Sequence, residues 1–393
     1  MCSVSIEQDI IIENICENII TGKIEKWSSE LLDSTQRYQL YKLIDKYDNL
    51  TKKTINVAGV VGKKIVIIEK ISHKNITSNE ITKEQVEFFI KYSKLPIPIN
   101  LPENLEYYIN LIKPYYDTDI FNYFIDDLNT IGYGQIKADI SKVKNEIINS
   151  LKSNSEYKIF ISNDNLNPCY PNNFMDKKSI YNLSNLEKNL ISIDIRMANW
   201  TCYKKITKQE LNINWVEFVS KFTKSKFISN SKYLREVIFG ELNSKKLTKF
   251  IGEFLFDIDN TINDIPYLQS NLEKIMCSTD EIIYNIKDIN NFNYEDFVSL
   301  LSKSNQNLNL IYRIEKFTLK QLCPYDYFIK EITNSNIKNI SIKQIQFKQI
   351  PKHFISQSIK FYQSEELNNL DKKFLFENIV CTFDSALGFE KII

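Results

Sequence analysis

Residues 189–200 read NLISIDIRMANW. Leu190 to Ile193 is an apolar strand run, with Ser192 its one polar residue. The run ends at Asp194, and helical spacing follows. A carboxylate at the carboxyl end of a strand is well placed to hold a metal ion. Two later segments share this concentration of chemistry. Residues 231–246, SKYLREVIFGELNSKK, predict a helix with Lys232, Arg235 and Phe239 on one face at i, i+3 and i+7, followed by Gly240. Residues 274–287, KIMCSTDEIIYNIK, predict two strands around Ser278-Thr279-Asp280-Glu281, a hairpin with adjacent carboxylates at its tip.

Phosphoryl transfer with Mg²⁺ needs carboxylates from neighbouring strands, because each ion wants oxygen ligands and room for substrate phosphates. It also needs cations that neutralise a triphosphate. Asp194, Asp280 and Glu281 supply the first requirement, with Asp194 and Asp280 as the metal ligands. Lys232 and Arg235 supply the second. Arg196 is either a surface ion pair or a further phosphate contact. The plain alternatives are a helix N-cap for Asp194 and a polar turn for Asp280 and Glu281.

The order of these segments resembles the palm and fingers of the bacterial DNA polymerase I family and its single-subunit RNA polymerase relatives. The resembling residues are Asp194, then Arg235-x-x-x-Phe239-Gly240, then Thr279-Asp280-Glu281-Ile282-Ile283, all within 186–290. Thr279 stands where the family has His, and Asn199 where it has an acid. The interval from Arg235 to Asp280 is much shorter than the family's fingers insertion. The resemblance implies a Mg²⁺-dependent nucleotidyltransferase. A 3′-hydroxyl would attack an incoming nucleoside triphosphate, with Asp194 and Asp280 on the metal and Arg235 on the triphosphate. A non-catalytic single-stranded nucleic-acid-binding or packaging protein is the competing expectation.

The wider sequence fits an intracellular globular protein. Of 393 residues, 43% are hydrophobic and 25% charged, which excludes a wholly disordered chain. Lys plus Arg is 50 against 49 for Asp plus Glu, so any polyanion site must be a local patch. Basic residues gather at 36–75, 204–249 and 332–364. Only Arg37, Arg196, Arg235 and Arg313 are arginine, against 61 Ile and 43 Asn. That usage points to an A/T-rich coding sequence, such as a viral, parasite or protist one. It also makes each Arg a candidate for bidentate phosphate contact.

The N-terminal unit, expected over 1–90, has its own pattern. Asp33 or Ser34 caps a predicted helix over about 35–47, followed by strands TINVAG and KKIVIIEK. This arrangement resembles the Arg-x-x-x-His module that binds single-stranded nucleic acid, through Arg37-Tyr38-Gln39-Leu40-Tyr41 and the strand opening at Lys63-Lys64. Tyr41 replaces the signature His. The resemblance implies nucleic-acid contacts from Arg37, Tyr41, Lys63 and Lys64; a small αββ protein-contact domain is the other reading. LPIPINLPEN at 95–104 reads as a linker or an extended crossing. The expected fold class is α+β: the small αββ domain, then a larger mixed α/β body over 91–393 with a palm-like antiparallel sheet.

Several classes fall away. No stretch of 18 apolar residues predicts a membrane span, and the acidic N-terminus lacks a basic n-region. Seven scattered Cys without C-x-x-C indicate reduced thiols, as in the cytoplasm or a viral replication site. His73 and His353 are too few for a zinc site or a His-based triad. FLFDIDNTI at 254–262 fits the first motif of haloacid dehalogenase-like phosphohydrolases, but the apolar residues before it fall at helical spacing.

Overall fold

The computed structural model describes residues 15–18, 26–29, 32, 40, 50–56, 64–70, 80–163, 170–171, 173–175, 179–242, 244–323, 326–337 and 344–383. The fold is α+β, and the chain forms two compact units, 1–75 and 76–393.

In the first unit β1 (Lys26–Ser28), β2 (Leu50–Asn56) and β3 (Lys64–Lys70) make an antiparallel sheet in the order β1-β3-β2. The β-branched run of β3 occupies the centre, and Val66 is fully buried. Val66 also ties in the chain after β1, since its N–H donates to Ser29 Oγ at 2.8 Å. The two expected strands are present and a third joins them. Lys64 opens β3 opposite Asn56. Arg37, Tyr41, Lys63 and most of the expected helix lie outside the described residues.

The two compact units divide at 75, where the sequence reading placed its division at 90. The helix α1 (Lys83–Ser93) buries Val86 and Phe89 completely in the core of the larger unit. It starts from a reciprocal cap, in which Thr82 accepts from the Gln85 N–H and Gln85 accepts from the Thr82 N–H. The first part of LPIPINLPEN, 95–101, is an extended crossing rather than a free linker, and 102–104 open the next helix. Leu95, Ile97 and Ile99 are all buried in the same core, because alternate residues of an extended segment share a face.

Four helices follow: α2 (Pro102–Ile112), started by Pro102, α3 (Asp119–Thr130), α4 (Tyr133–Ser153) and α5 (Ser155–Ser162). Then comes β4 (Leu190–Ile195), the quoted apolar run. Six helices lead away from it and back: α6 (Ala198–Ile206), α7 (Trp215–Val219), α8 (Lys226–Asn230), α9 (Lys232–Glu241), α10 (Ser244–Asp264) and α11 (Pro266–Asn271). The expected hairpin follows as β5 (Leu272–Cys277) and β6 (Glu281–Ile286). After α12 (Tyr294–Ser304) and α13 (Leu308–Ile311) come β7 (Tyr312–Cys323), β8 (Tyr327–Ser335) and β9 (Ile345–Lys348). The chain ends its described part with α14 (Ile355–Tyr362) and the hairpin β10 (Lys373–Phe376) and β11 (Ile379–Thr382).

Strands β4 to β9 form one six-stranded antiparallel sheet in the order β5-β6-β4-β7-β8-β9. The period of two separates its faces. Ile191, Ile193, Ile282, Tyr284 and Ile314 face the main core, where Tyr284 and Tyr312 bond to α10 and Tyr294 of α12 bonds to Ile314. On the opposite face Leu190, Ile283, Phe317, Leu319 and Ile332 form a second apolar cluster. Ser192, Asp194, Glu281, Arg313 and Glu315 follow the same alternation, so this face becomes charged toward the end of β4.

The phosphohydrolase motif is helix. Asp257 and Asp259 both sit inside α10, Asp257 exposed and Asp259 buried against Tyr284 and Lys274. Among the described residues no helix is long and apolar enough to cross a membrane.

Candidate functional site

The site grows from the end of β4. The chain leaves that strand through two backbone anchors: the Ile195 N–H donates to Asp280 O and the Arg196 N–H to Ile311 O, both at 2.8 Å. Met197 then turns in the left-handed region at φ 46° and opens α6. Met197, not Asp194, is therefore the N-cap, and the Asp194 carboxylate is free for other work.

Its neighbours are charged on both sides. In register, Asp194 lies opposite Glu281 of β6 and opposite Arg313 of β7. Directly paired residues on antiparallel strands have Cβ atoms about 5 Å apart, so Glu281, Asp194 and Arg313 form a row across three strands. Arg313 Nη2 donates to Asp194 Oδ2 at 2.9 Å, and its Nε lies 3.4 Å from Glu315 Oε1. One step down the sheet, Lys330 is buried with Nζ 2.7 Å from Glu315 Oε2 and 3.3 Å from Ser192 Oγ. The same nitrogen stands 4.3 Å from the Phe317 ring centroid and 4.0 Å from Glu281 Oε1.

These charges shift one another. Burial raises Asp194 to about 7, with Glu281 and Asp280 adding to the rise and Arg313 opposing it. Asp280 is raised by burial and by Glu281, while Arg313 and Lys232 act the other way. Burial also disfavours ionised Glu315, but Lys330 and Arg313 outweigh it and hold the group below its ordinary value. Lys348 of β9 is pushed down to about 8 by burial and by Lys330.

The row opens on a cavity of about 1050 Å³ inside the larger unit. Asp194, Asp280, Arg196, Arg313 and Lys348 line the sheet side. Lys232, Arg235 and Phe239 of α9 line another wall. The helix is aimed by Ser231, whose Oγ caps it by accepting from the Leu234 N–H, and by Leu234 and Ile238, which are buried below. Burial lowers Arg235. The structure thus brings together Asp194, Asp280, Arg196, Lys232, Arg235 and Phe239. Glu281 stands in the charged row without lining the cavity. Phe239 is 1% exposed with its ring centroid 5.4 Å from that of Trp215, so its main role is packing. Gly240 is exposed and does not line the cavity.

Glu315 and Lys330 escaped the sequence reading, Arg313 stood out only as a rare arginine with no assigned site, and Lys348 reads in sequence as following a nucleic-acid backbone or decorating a solvent face. The signal for Arg313 was its rarity, one of four Arg in the chain. The signal for the others was alternation in a strand whose partner no local pattern names.

Mg²⁺ commonly takes one or two carboxylates and completes its shell with substrate phosphates and water. Asp194 and Asp280 give two hard oxygen donors in a place where burial and mutual repulsion already disfavour their charge. Among the described residues no group of three or more His, Cys, Asp or Glu stands ready to hold a metal ion. The residues present fit a cation shared with a bound phosphate, and not a closed protein cage.

No family model, curated protein or solved structure matches the chain.

Proposed function

We propose that the chain is a nucleic-acid-binding protein whose larger unit is a Mg²⁺-dependent, polymerase-like nucleotidyltransferase. One observation carries the reading. A strand-ending Asp194 and Asp280, the turn residue just before β6 whose backbone carbonyl accepts from the Ile195 N–H, both line a cavity whose other wall presents Lys232 and Arg235. Phosphoryl transfer is mostly positioning and charge neutralisation, and this arrangement offers both.

Asp194 and Asp280 would hold the Mg²⁺, which when bound neutralises phosphate charge and acidifies an attacking hydroxyl. Lys232 and Arg235 bind the triphosphate from the helix wall, and Arg196 meets it from the end of β4. Arg313 fixes the Asp194 carboxylate from the neighbouring strand. The N-terminal unit holds a single strand through Arg37, Tyr41, Lys63 and Lys64. The four free thiols among the described residues fit a reducing compartment, and the residue usage fits a viral genome.

A second reading has an observation of its own. Arg313 occupies Asp194 as a resident counter-ion, which suits a binding or packaging protein that needs no metal. Nucleotide addition to a single-stranded 3′ end with Mg²⁺ separates the two. Addition that disappears in Asp280→Asn while strand binding persists supports the enzyme. Salt-sensitive binding without addition of any nucleotide supports the binding protein. Deleting 1–75 should weaken single-strand affinity, and unchanged affinity would remove the role given to that unit.

A further inference from the structure

Tyrosine rings in this molecule are almost all engaged. Outside the cavity wall formed by the end of α2 and the start of α3, every described tyrosine has a ring neighbour or a hydroxyl hydrogen bond. On that wall Tyr115 is engaged too. Its ring meets Phe347 edge-on at 5.0 Å and its hydroxyl accepts from Gln363 at 3.1 Å. Tyr116 and Tyr123 differ. Both line the cavity and both rest one side on the main core, yet among the described residues neither has a ring partner or a hydrogen bond. Burial raises the Tyr116 hydroxyl to about 12, so it stays a neutral donor at any physiological pH.

The position of these rings relative to charge defines what they would hold. Tyr115 touches Phe347, and the next residue, Lys348, faces the same cavity and interacts electrostatically with Arg313 and Glu281. One cavity therefore carries Tyr116 and Tyr123, with Asp117 and Asp119 next to them in the chain, together with Arg313, Lys348, Asp194 and Asp280. A ligand with a flat π system joined to a phosphate chain matches both kinds of residue. An aromatic ring stacks on any base because every base has a π face.

We infer that Tyr116 and Tyr123 form a base-stacking subsite for a nucleoside triphosphate whose phosphates meet the cationic residues of the same cavity. This rests on the phosphate-binding part of the proposed function and adds the residues that recognise the nucleoside.

Calorimetric binding of ATP, CTP and inorganic tripolyphosphate to the full chain tests it. Wild type should bind both nucleotides on the order of 10-fold more tightly than tripolyphosphate, the size of one stacked base. Tyr116→Leu/Tyr123→Leu keeps apolar contact with the core and should erase that preference without changing tripolyphosphate affinity. Tyr116→Phe/Tyr123→Phe keeps the rings and should retain most of it. A preference that survives in the Leu pair overturns the subsite, as does equal wild-type affinity for all three ligands; either result leaves the phosphate site standing. Failure of wild type to bind any of them overturns the phosphate site and the subsite together.

Discussion

Arg313 and Asp194 face each other across neighbouring antiparallel strands, with Nη2 2.9 Å from Oδ2. Glu281 occupies the other side of Asp194, so two adjacent carboxylates and a guanidinium share one row. Removing the guanidinium leaves a half-buried carboxylate beside two like charges. Arg313→Gln should destabilise the fold by about 1–3 kcal/mol, between the values for exposed and buried pairs, because Arg313 is itself partly exposed. Adding Asp194→Asn should recover much of that loss. Denaturant titration of both singles and the double mutant checks the coupling, and additive losses would contradict it.

Lys348 gives a pH prediction with a definite sign. Its folded value lies near 8, below the ordinary 10.5, so the folded state disfavours its charge. Between those two values the unfolded chain binds more protons, so stability from this group rises with pH. Below about 8 the full penalty applies. Lys348→Met should therefore raise the midpoint of thermal unfolding at pH 7 and flatten the rise between pH 8 and 10.5. An unchanged profile would contradict the burial of that charge.

Cation binding should report on Asp194. Its carboxyl is raised to about 7 and must be ionised to ligate. Calorimetry with Mn²⁺ at pH 6 and pH 8 should show affinity about 10-fold higher at pH 8, the change in ionised fraction across a pKa of 7. Equal affinities would remove Asp194 from the ligand set.

The two carboxylates of the phosphohydrolase-like motif should behave as structural parts of a helix. Asp259 is 4% exposed and bonds to Lys274 Nζ at 2.7 Å and to the Tyr284 hydroxyl at 2.5 Å. Asp259→Ala should cost about 3 kcal/mol by stranding both partners. Asp257→Ala, on the exposed face, should change stability by less than about 0.5 kcal/mol. Nucleotide affinity at the cavity should be unaltered in Asp257→Ala, and loss there would revive a catalytic role for the motif.

Much of the site was legible because its parts are local. A central strand covered on both faces reads as an apolar run, which is why Leu190–Ile193 stood out. The turn at Ser278–Asp280 and the shared face of Lys232, Arg235 and Phe239 announced the hairpin and the helix. What stayed hidden was long-range. YRIEKFTLKQLC alternates like any half-buried strand, and nothing within it says that Arg313 will pair with a residue 119 positions earlier. The Pro-rich segment was ambiguous for a related reason. Pro signals extended backbone, and only tertiary packing decides whether Ile97 and Ile99 are buried or left in a linker. Tyr116 and Tyr123 were invisible among 22 tyrosines, since the sequence does not show which rings lack partners.

The most direct test of the central claim is the rate of nucleotide addition to a single-stranded 3′ end, measured with Mg²⁺ in wild type, Asp194→Asn and Asp280→Asn under conditions where all three bind the strand. The account predicts addition by wild type and a loss on the order of 100- to 1000-fold in each variant, the usual effect of removing a group that stabilises transition-state charge. Addition that continues at the wild-type rate in either variant, or no addition by wild type with any nucleotide, would contradict it.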